Sequence, residues 1–463
     1  MRQSGTIAVV LAAGLLVWVG ANAAHGATEA RTKRPGARAG QKAGTSKQTS
    51  AGTETQSESF QTLVPAHDID IILGRPTDSS ITLSVLVYRD IEGLISYSTS
   101  PRDRSKLLRR QRFGKNTPVE LVIRNLRPDT QYYYTFVELP QGNITPEPVV
   151  VEGAFHTQRV PGQPFTFTVT ADSHLDQRAD VGLYTRTLAG AAADKPDFHI
   201  DLGDTFMTEK HTSREDALEQ YLAQRYYFGQ LCCSAPLFLV LGNHDGESWR
   251  QLDGTANSLG VWANAMRERY FPNPVPDAFY SGNTATDAFA GLPQDYYAWE
   301  WGDALFVVLD PYRFNVPGRN RDNWSRSLGD EQYKWLARTL EESRAKFKFI
   351  FIHQLVGGLT NAGRGGVEAA PFFEWGGRNA DGTDGFKAHR PVWPEPIHQL
   401  LVRNHVTAVF HGHDHIFAKQ ELDGIIYQEV PQPGTIMNLR SGRAAEYGYT
   451  TGTILGGAGY LRV

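Results

Sequence analysis

Five stretches of this chain end in side chains that hold metal ions. The densest is 406–415, where Val406, Thr407, Ala408, Val409 and Phe410 run into His411, Gly412, His413, Asp414 and His415. A β-branched, apolar run that stops at a glycine reads as a buried strand entering a tight turn. Imidazole is the commonest metal-binding side chain, and a strand end is rigid enough to aim one. One histidine there would read as a satisfied polar group, whereas three within five residues point to a metal. The rest of the chain supplies partners. The apolar stretch 165–171 leads into Asp172 and His174, 197–202 into Asp204, 236–241 into Asn243, His244 and Asp245, and 347–352 into His353. Asp, Asn and His without cysteine form a hard-to-borderline ligand set suited to Mn, Fe or Zn. There are enough of them for two ions if one carboxylate bridges the ~3.5–4 Å of a two-metal site.

The elements that must position these residues alternate from residue 165 onward. Short apolar stretches at 165–171, 197–202, 236–241, 304–309, 347–352 and 406–410 read as buried strands. Helix-like segments at 179–193, 215–228 and 330–344 lie between them. In the last of these, Leu336 and Leu340 share one face at i, i+4 spacing. Open α/β sheets bind ligands beyond the carboxyl ends of their strands, where all of the metal-binding residues above fall. The stretches 249–294 and 357–394 are rich in glycine, asparagine and aromatics and are expected to be long loops walling a cleft. Within the second, Arg364, Arg378, Lys387, His389 and Arg390 are candidates for binding an anion. Residues 393–396 (Trp-Pro-Glu-Pro) should open a helix toward the last strand.

Ahead of this domain, residues 62–158 have the texture of short alternating strands broken by turns, as in 69–73, 80–87, 118–123 and 131–137. Arg127, Pro128 and Asp129 make a turn. A β-sandwich of fibronectin type III kind is expected, with the clustered tyrosines serving its core and a corner. Residues 27–61 are Gly, Ala, Ser, Thr, Gln and basic residues with almost no large apolar side chain, which predicts a disordered linker. Residues 1–26 combine Arg2, an apolar run from Ile7 to Val19 and small residues around Ala21–Ala27, the pattern of a secretory signal peptide. The run is shorter than the ~20 residues of a membrane span. A soluble product, secreted or periplasmic, is expected, with no stable membrane insertion. The adjacent Cys232 and Cys233 are expected as reduced thiols at a helix end.

The ordered set D-x-H, G-D, G-N-H-D, a lone H and G-H-x-H resembles the calcineurin-like metallophosphoesterase superfamily. Residues 74–77 (Gly-Arg-Pro-Thr) and 126–134 (Leu-Arg-Pro-Asp-Thr-Gln-Tyr-Tyr-Tyr) resemble the N-terminal domain of purple acid phosphatases. Together these resemblances cover residue 63 to the end. They imply a β-sandwich followed by an α/β domain at 159–463 built as a four-layer α-β-β-α sandwich. On the resemblance Asp172, His174, Asp204 and His415 hold one metal. Asp204 as bridge, Asn243, His353 and His413 hold the other. His244 is then the catalytic histidine that binds no metal, with Asp245 beside it. From the chemistry, Asp245 is expected to stabilise the charge of a protonated His244, and His411 and Asp414 are candidates either to support the ligands or simply to cap the loop. One departure bears on the metal. Purple acid phosphatases carry a tyrosine ligand three residues after the bridging aspartate, where this chain has Met207, and a small residue where it has His174. Imidazole therefore replaces phenolate, as in the non-purple branch.

These readings imply hydrolysis of phosphate monoesters by a metal-activated water or hydroxide, with a small phosphorylated substrate. A phosphodiesterase acting on nucleotides, phospholipid headgroups or wall polymers would use the same ligands. A non-catalytic exported binding protein is the alternative of another class, and the completeness of the ligand pattern speaks against it. The formal net charge of −4 over 463 residues, with no basic block in a folded-looking region, gives no footprint for a nucleic-acid partner. The oligomeric state is open.

Overall fold

The computed structural model describes residues 59–101, 103–139, 150–315, 323–435 and 442–463, together with the strands Ile7–Val10 and Leu16–Val19. Most of the expected linker therefore lies outside the described residues. The two strands within the expected leader pair antiparallel with each other, and Leu16–Val19 adds to the edge strand Leu461–Arg462.

The first layers are two antiparallel sheets. Ile69–Gly74, Ile81–Val87 and Val119–Ile123 form one. Val150–His156, Gln131–Glu138, Ile91–Ser98, Lys106–Leu107 and Gln111–Phe113 form the other. Their inward side chains, among them Leu83, Val85, Ile95, Tyr134 and Phe136, close one core, as expected of a sandwich. Tyr132 makes the corner: its hydroxyl accepts the Arg127 N–H at 2.9 Å.

The second unit stacks two mixed sheets face to face. Phe167–Thr170, Phe198–Asp201 and Leu237–Leu239 run parallel in one. Ala304–Val308, Phe347–Phe351, Ala408–His411 and Ile425–Glu429 run parallel in the other. Between them lies an aromatic core that includes Phe167, Phe198, Phe306, Phe349, Phe351 and Phe410. Each buried Phe is worth roughly 1.5–3 kcal/mol. Helices Val181–Ala193, Arg214–Cys232 and Leu259–Tyr270 pack on the outside of the first sheet. Asp330–Glu342 and Ile397–Arg403 cover the second. The order is helix, sheet, sheet, helix, as expected. Parallel strands buried on both faces aim all their carboxyl ends to one side, and that is where the ligands sit.

The two units share a hydrophilic seam. Arg225, wholly buried on helix Arg214–Cys232, donates to the Ser84 hydroxyl at 3.0 Å, to the Ser84 carbonyl at 2.8 Å and to the Tyr270 carbonyl. Tyr134 of the sandwich donates to the Cys233 carbonyl at 2.8 Å. Both cysteines are free thiols, Cys232 buried and Cys233 half-buried at the helix end. Among the described residues no helix is long and apolar enough to cross a membrane.

The stretch 249–294 is not a long loop throughout, because it contains helix Leu259–Tyr270. That helix buries Gly260, Ala263, Asn264, Arg267 and Tyr270, a helical spacing filled partly with polar side chains. Glu247 makes that possible, taking Arg267 Nε at 2.6 Å and Asn264 Nδ2 at 3.0 Å. The stretch 357–394 likewise holds short helices at Phe373–Gly376 and Phe386–His389.

Candidate metal centre

Each predicted strand ends where its ligand begins, and at three of these ends the ligands sit in backbone that side chains rarely adopt. Asp172, His174, Asp204, His413 and His415 have φ of 58°, 49°, 55°, 76° and 61°. Five left-handed residues in three short turns cost energy that the surrounding packing must hold, a pattern concentrated at functional sites. Glycine is required at two of these turns. A Cβ on Gly412 would lie 2.6 Å from Asp172 Oδ2, and one on Gly242 would collide with the Asp204 backbone and carboxylate. The close approach at Gly412 lets the His413 N–H donate to Asp172 Oδ2 at 2.8 Å.

The turns bring together two groups able to hold a metal ion. One is Asp172, His174 and His415, the other Asp204, His353 and His413. In the first, Asp172 Oδ1 lies 3.3 Å from His415 Nε2 and 3.6 Å from His174 Nε2. In the second, Asp204 Oδ2 lies 3.4 Å from His353 Nε2. The same Asp204 oxygen is 3.6 Å from His174 Nε2, so it faces both groups, while Asp204 Oδ1 accepts the His244 N–H at 2.8 Å.

The outer hydrogen bonds fix which nitrogen faces inward. His353 donates from Nδ1 to the Leu202 carbonyl at 2.8 Å, and His413 from Nε2 to the Ala362 carbonyl at 2.8 Å. These bonds leave His353 Nε2 and His413 Nδ1 for a ligand. Asp172 Oδ1, His174 Nε2, His353 Nε2 and Asn243 Oδ1 are buried and have no hydrogen-bond partner. Orphaned polar atoms are costly in an interior. Orphaned polar atoms in both ligand groups are what a metal centre requires, so the residues fit the ions their types imply.

The electrostatics agree. Although burial opposes it, the nearby imidazoles of His415, His353 and His174 hold the Asp172 carboxyl far below its usual range. Burial likewise opposes charge on His353, yet Asp204 and Asp172 raise it to about 9. The pair behind the ligands is neutral instead. His411 Nδ1 is 2.6 Å from Glu429 Oε2; burial lowers the imidazole to about 3 and raises the carboxyl. Asp414 accepts from Arg364 Nη1 at 2.9 Å, from the Gly365 N–H and from the Tyr449 hydroxyl, which stiffens the turn carrying His413 and His415. Gln220 donates to the His174 and Thr205 carbonyls, and Gln224 to Thr205 and the Ser173 hydroxyl, closing the turns from below.

The expected role of Asp245 needs correction. Its carboxylate does not face His244. It accepts four backbone N–H groups, from Asp204, Thr205, Phe206 and Gly242, at 2.7–3.0 Å. It therefore shapes the turn that carries the Asp204 carboxylate. The carboxylate beside His244 is Glu209, whose Oε1 lies 2.7 Å from His244 Nδ1. Gln251 holds the other Glu209 oxygen at 2.6 Å. His244 Nε2 is thereby turned inward, 4.0 Å from Asp204 Oδ2.

Above the ligands opens a cavity of about 630 Å³, lined by Asn243, His244 and His413 at one end and by Arg250, Tyr312 and Arg326 among others. Of the expected anion-binding residues, only Arg364 lines it, and Asp414 already neutralises that side chain. Arg378 is exposed, on isolated β-bridges to Phe372 and Asp384. Lys387 donates to the Trp393 carbonyl, His389 stacks on Trp324, and Arg390 pairs with Glu374. Each of these last three serves packing.

Comparison with known proteins follows this geometry. A family model described as "Calcineurin-like phosphoesterase" matches residues 165–417, more than half of the chain. No curated protein matches in sequence. Among solved structures, PhoD superposes with a TM-score of 0.58 at 16% identity, over 89% of this chain and 85% of that one. The purple acid phosphatase PPD1 from yellow lupin (Lupinus luteus) seeds gives 0.50 at 15%, over 79% of this chain and 65% of its own length. At these identities the likeness concerns the fold.

Proposed function

The chain belongs to the calcineurin-like phosphoesterase family and is a metal-dependent phosphoric ester hydrolase, and on that premise we propose that it is an exported phosphatase of monoesters working with two metal ions. The observation that carries this reading is the reach of Asp204 Oδ2 to both ligand groups beneath one cavity, with His244 at its edge. Asp172, His174, Asp204 and His415 would hold one ion, and Asp204, Asn243, His353 and His413 the other. Bound there, the ions would neutralise the anionic oxygens that make a phosphate ester resist attack and would acidify water.

The chain's own residues do the rest. Asp245, Gln220 and Gln224 keep the turns in register, so the ligands need no reorganisation when substrate arrives. Glu209 orients His244, and Nε2 gives a proton to the departing alcohol. Asn243 offers its side-chain oxygen inward and leaves the neighbouring imidazole free for the proton. The leader pattern at residues 1–26 supports export.

The test is a panel of monoesters and diesters, assayed on metal-loaded and on chelator-treated protein. Metal-dependent turnover of monoesters at least tenfold above diesters is expected. The reverse preference would make the protein a diesterase, and turnover of neither would remove the proposal.

A further inference from the structure

The cavity is larger than a phosphate needs. At about 630 Å³ it falls in the range of sites that enclose a drug-sized ligand. Asn243, His244 and His413 line it, and so do two arginines that have no acid partner among the described residues. Arg326 donates through Nη1 to the Gly357 carbonyl at 2.6 Å and the Thr360 carbonyl at 3.2 Å, and through Nη2 to the Asn361 carbonyl. Three carbonyls fix the guanidinium plane without neutralising it. Among the described residues no carboxylate comes within ion-pair distance of Arg326 or Arg250. Arg267, Arg364 and Arg390 by contrast each have one. Burial disfavours the Arg326 charge, and the like charge of Arg250 adds to that. Holding the half-buried Arg326 guanidinium beside the exposed Arg250 with no carboxylate in reach is unfavourable unless an anion joins them. A third donor is near: Tyr312 lines the cavity, and its buried hydroxyl has no hydrogen-bond partner.

We propose that Arg326, Arg250 and the Tyr312 hydroxyl form an anion subsite for the leaving group, so that the substrate is a phosphate ester whose alcohol carries a second anionic group. This rests on the monoester reading of the metal centre. The scissile phosphate sits at the metal end, and the tail's carboxylate or phosphate meets the guanidinium fork, which suits planar or tetrahedral oxyanions. The alternative is that Arg326 only pins the loop at 357–361.

The experiment compares kcat/KM for n-alkyl phosphates with ω-carboxyalkyl phosphates and alkane bisphosphates of two to six carbons, at low salt. A charged hydrogen bond is worth roughly a tenfold to hundredfold factor. The wild type should therefore favour one of the anionic series by at least about tenfold at an optimal length, and the favoured series identifies the tail as carboxylate or phosphate. The preference should collapse toward one in Arg326→Gln, fall in Arg250→Gln and survive in part in Arg326→Lys. Arg250 is exposed and stacks only on Trp249, so its variant keeps the test available if Arg326→Gln fails to fold. No preference at any length in the wild type would overturn the subsite. So would equal losses for alkyl and anionic esters in both Gln variants, which would mark a loop-holding role. If the wild type turns over none of these esters nor an aryl phosphate, the phosphatase reading itself fails and takes the subsite with it.

Discussion

Replacing Glu209 with glutamine tests how the histidine is made into an acid. Glu209 Oε1 lies 2.7 Å from His244 Nδ1, and the two side chains are 26% and 24% exposed. Opposite charges about 4 Å apart interact by ~4 kcal/mol at an effective dielectric of ~20. Partial exposure reduces this to roughly 1–2 kcal/mol. Glutamine keeps the shape and the contact with Gln251 but removes the carboxylate charge that faces His244. For alkyl phosphates, whose alcohol needs a proton as it leaves, kcat should fall by roughly five- to thirtyfold. For p-nitrophenyl phosphate, whose leaving group needs little protonation, the loss should be much smaller. Steady-state kinetics over a pH range, with metal content measured on the same samples, decides the matter. Equal losses on both ester classes would refute the reasoning, as would loss of a metal ion, which would make Glu209 part of the ligand framework.

Asp245→Asn should act on the fold rather than on the proton. Its amide nitrogen would face two of the four N–H groups the carboxylate now accepts. Thermal unfolding should show a loss of about 2–4 kcal/mol together with weaker metal binding; unchanged stability with reduced kcat would restore a catalytic role. His199 lies buried under the sheet between the hydroxyls of Thr168 and Thr170, and burial lowers its pKa from 6.5 to about 3. The unfolded chain then binds the extra proton between these values. Stability is full above about pH 6.5 and is lost as pH falls toward 3, by at most ~1.4 kcal/mol per pH unit. Denaturant titrations of His199→Gln should show a shallower acid slope than wild type, and an identical slope would contradict this. Iron-loaded protein should lack a strong visible charge-transfer band, because Met207 stands where purple acid phosphatases carry a tyrosine. A strong band would bring Tyr312 to the metal and remove it from the anion subsite.

Much of the centre was legible because parallel strands announce themselves as short apolar runs, and their carboxyl ends must share one side. Asp172, Asp204, Asn243, His353 and His413 are separated widely in sequence, yet each follows such a run. Glu209 was not legible. It sits five residues beyond Asp204 on a short 3₁₀ turn, Thr208–Lys210, whose direction depends on a left-handed Met207 with φ of 47°. Asp245 misled for a related reason: adjacency to His244 in sequence puts the two side chains on opposite sides of a tight turn. Helix Leu259–Tyr270 escaped the apolar period because Asn264 and Arg267 fill its inner face, and only the partner Glu247 makes that burial tolerable. Arg250 and Arg326 come from distant loops, so no spacing rule could pair them. Signals for the cavity were limited to the richness of 249–294 and 357–394 in loop-forming residues.

The account turns on one carboxylate serving two ions, and metal content of Asp204→Ala measures that directly. Wild-type protein should hold about two equivalents, and Asp172→Ala should lose chiefly one. Asp204→Ala should be depleted at both positions and release no phosphate from a monoester. Two equivalents retained in Asp204→Ala, or full turnover by chelator-treated wild type, would contradict the two-metal phosphatase described above.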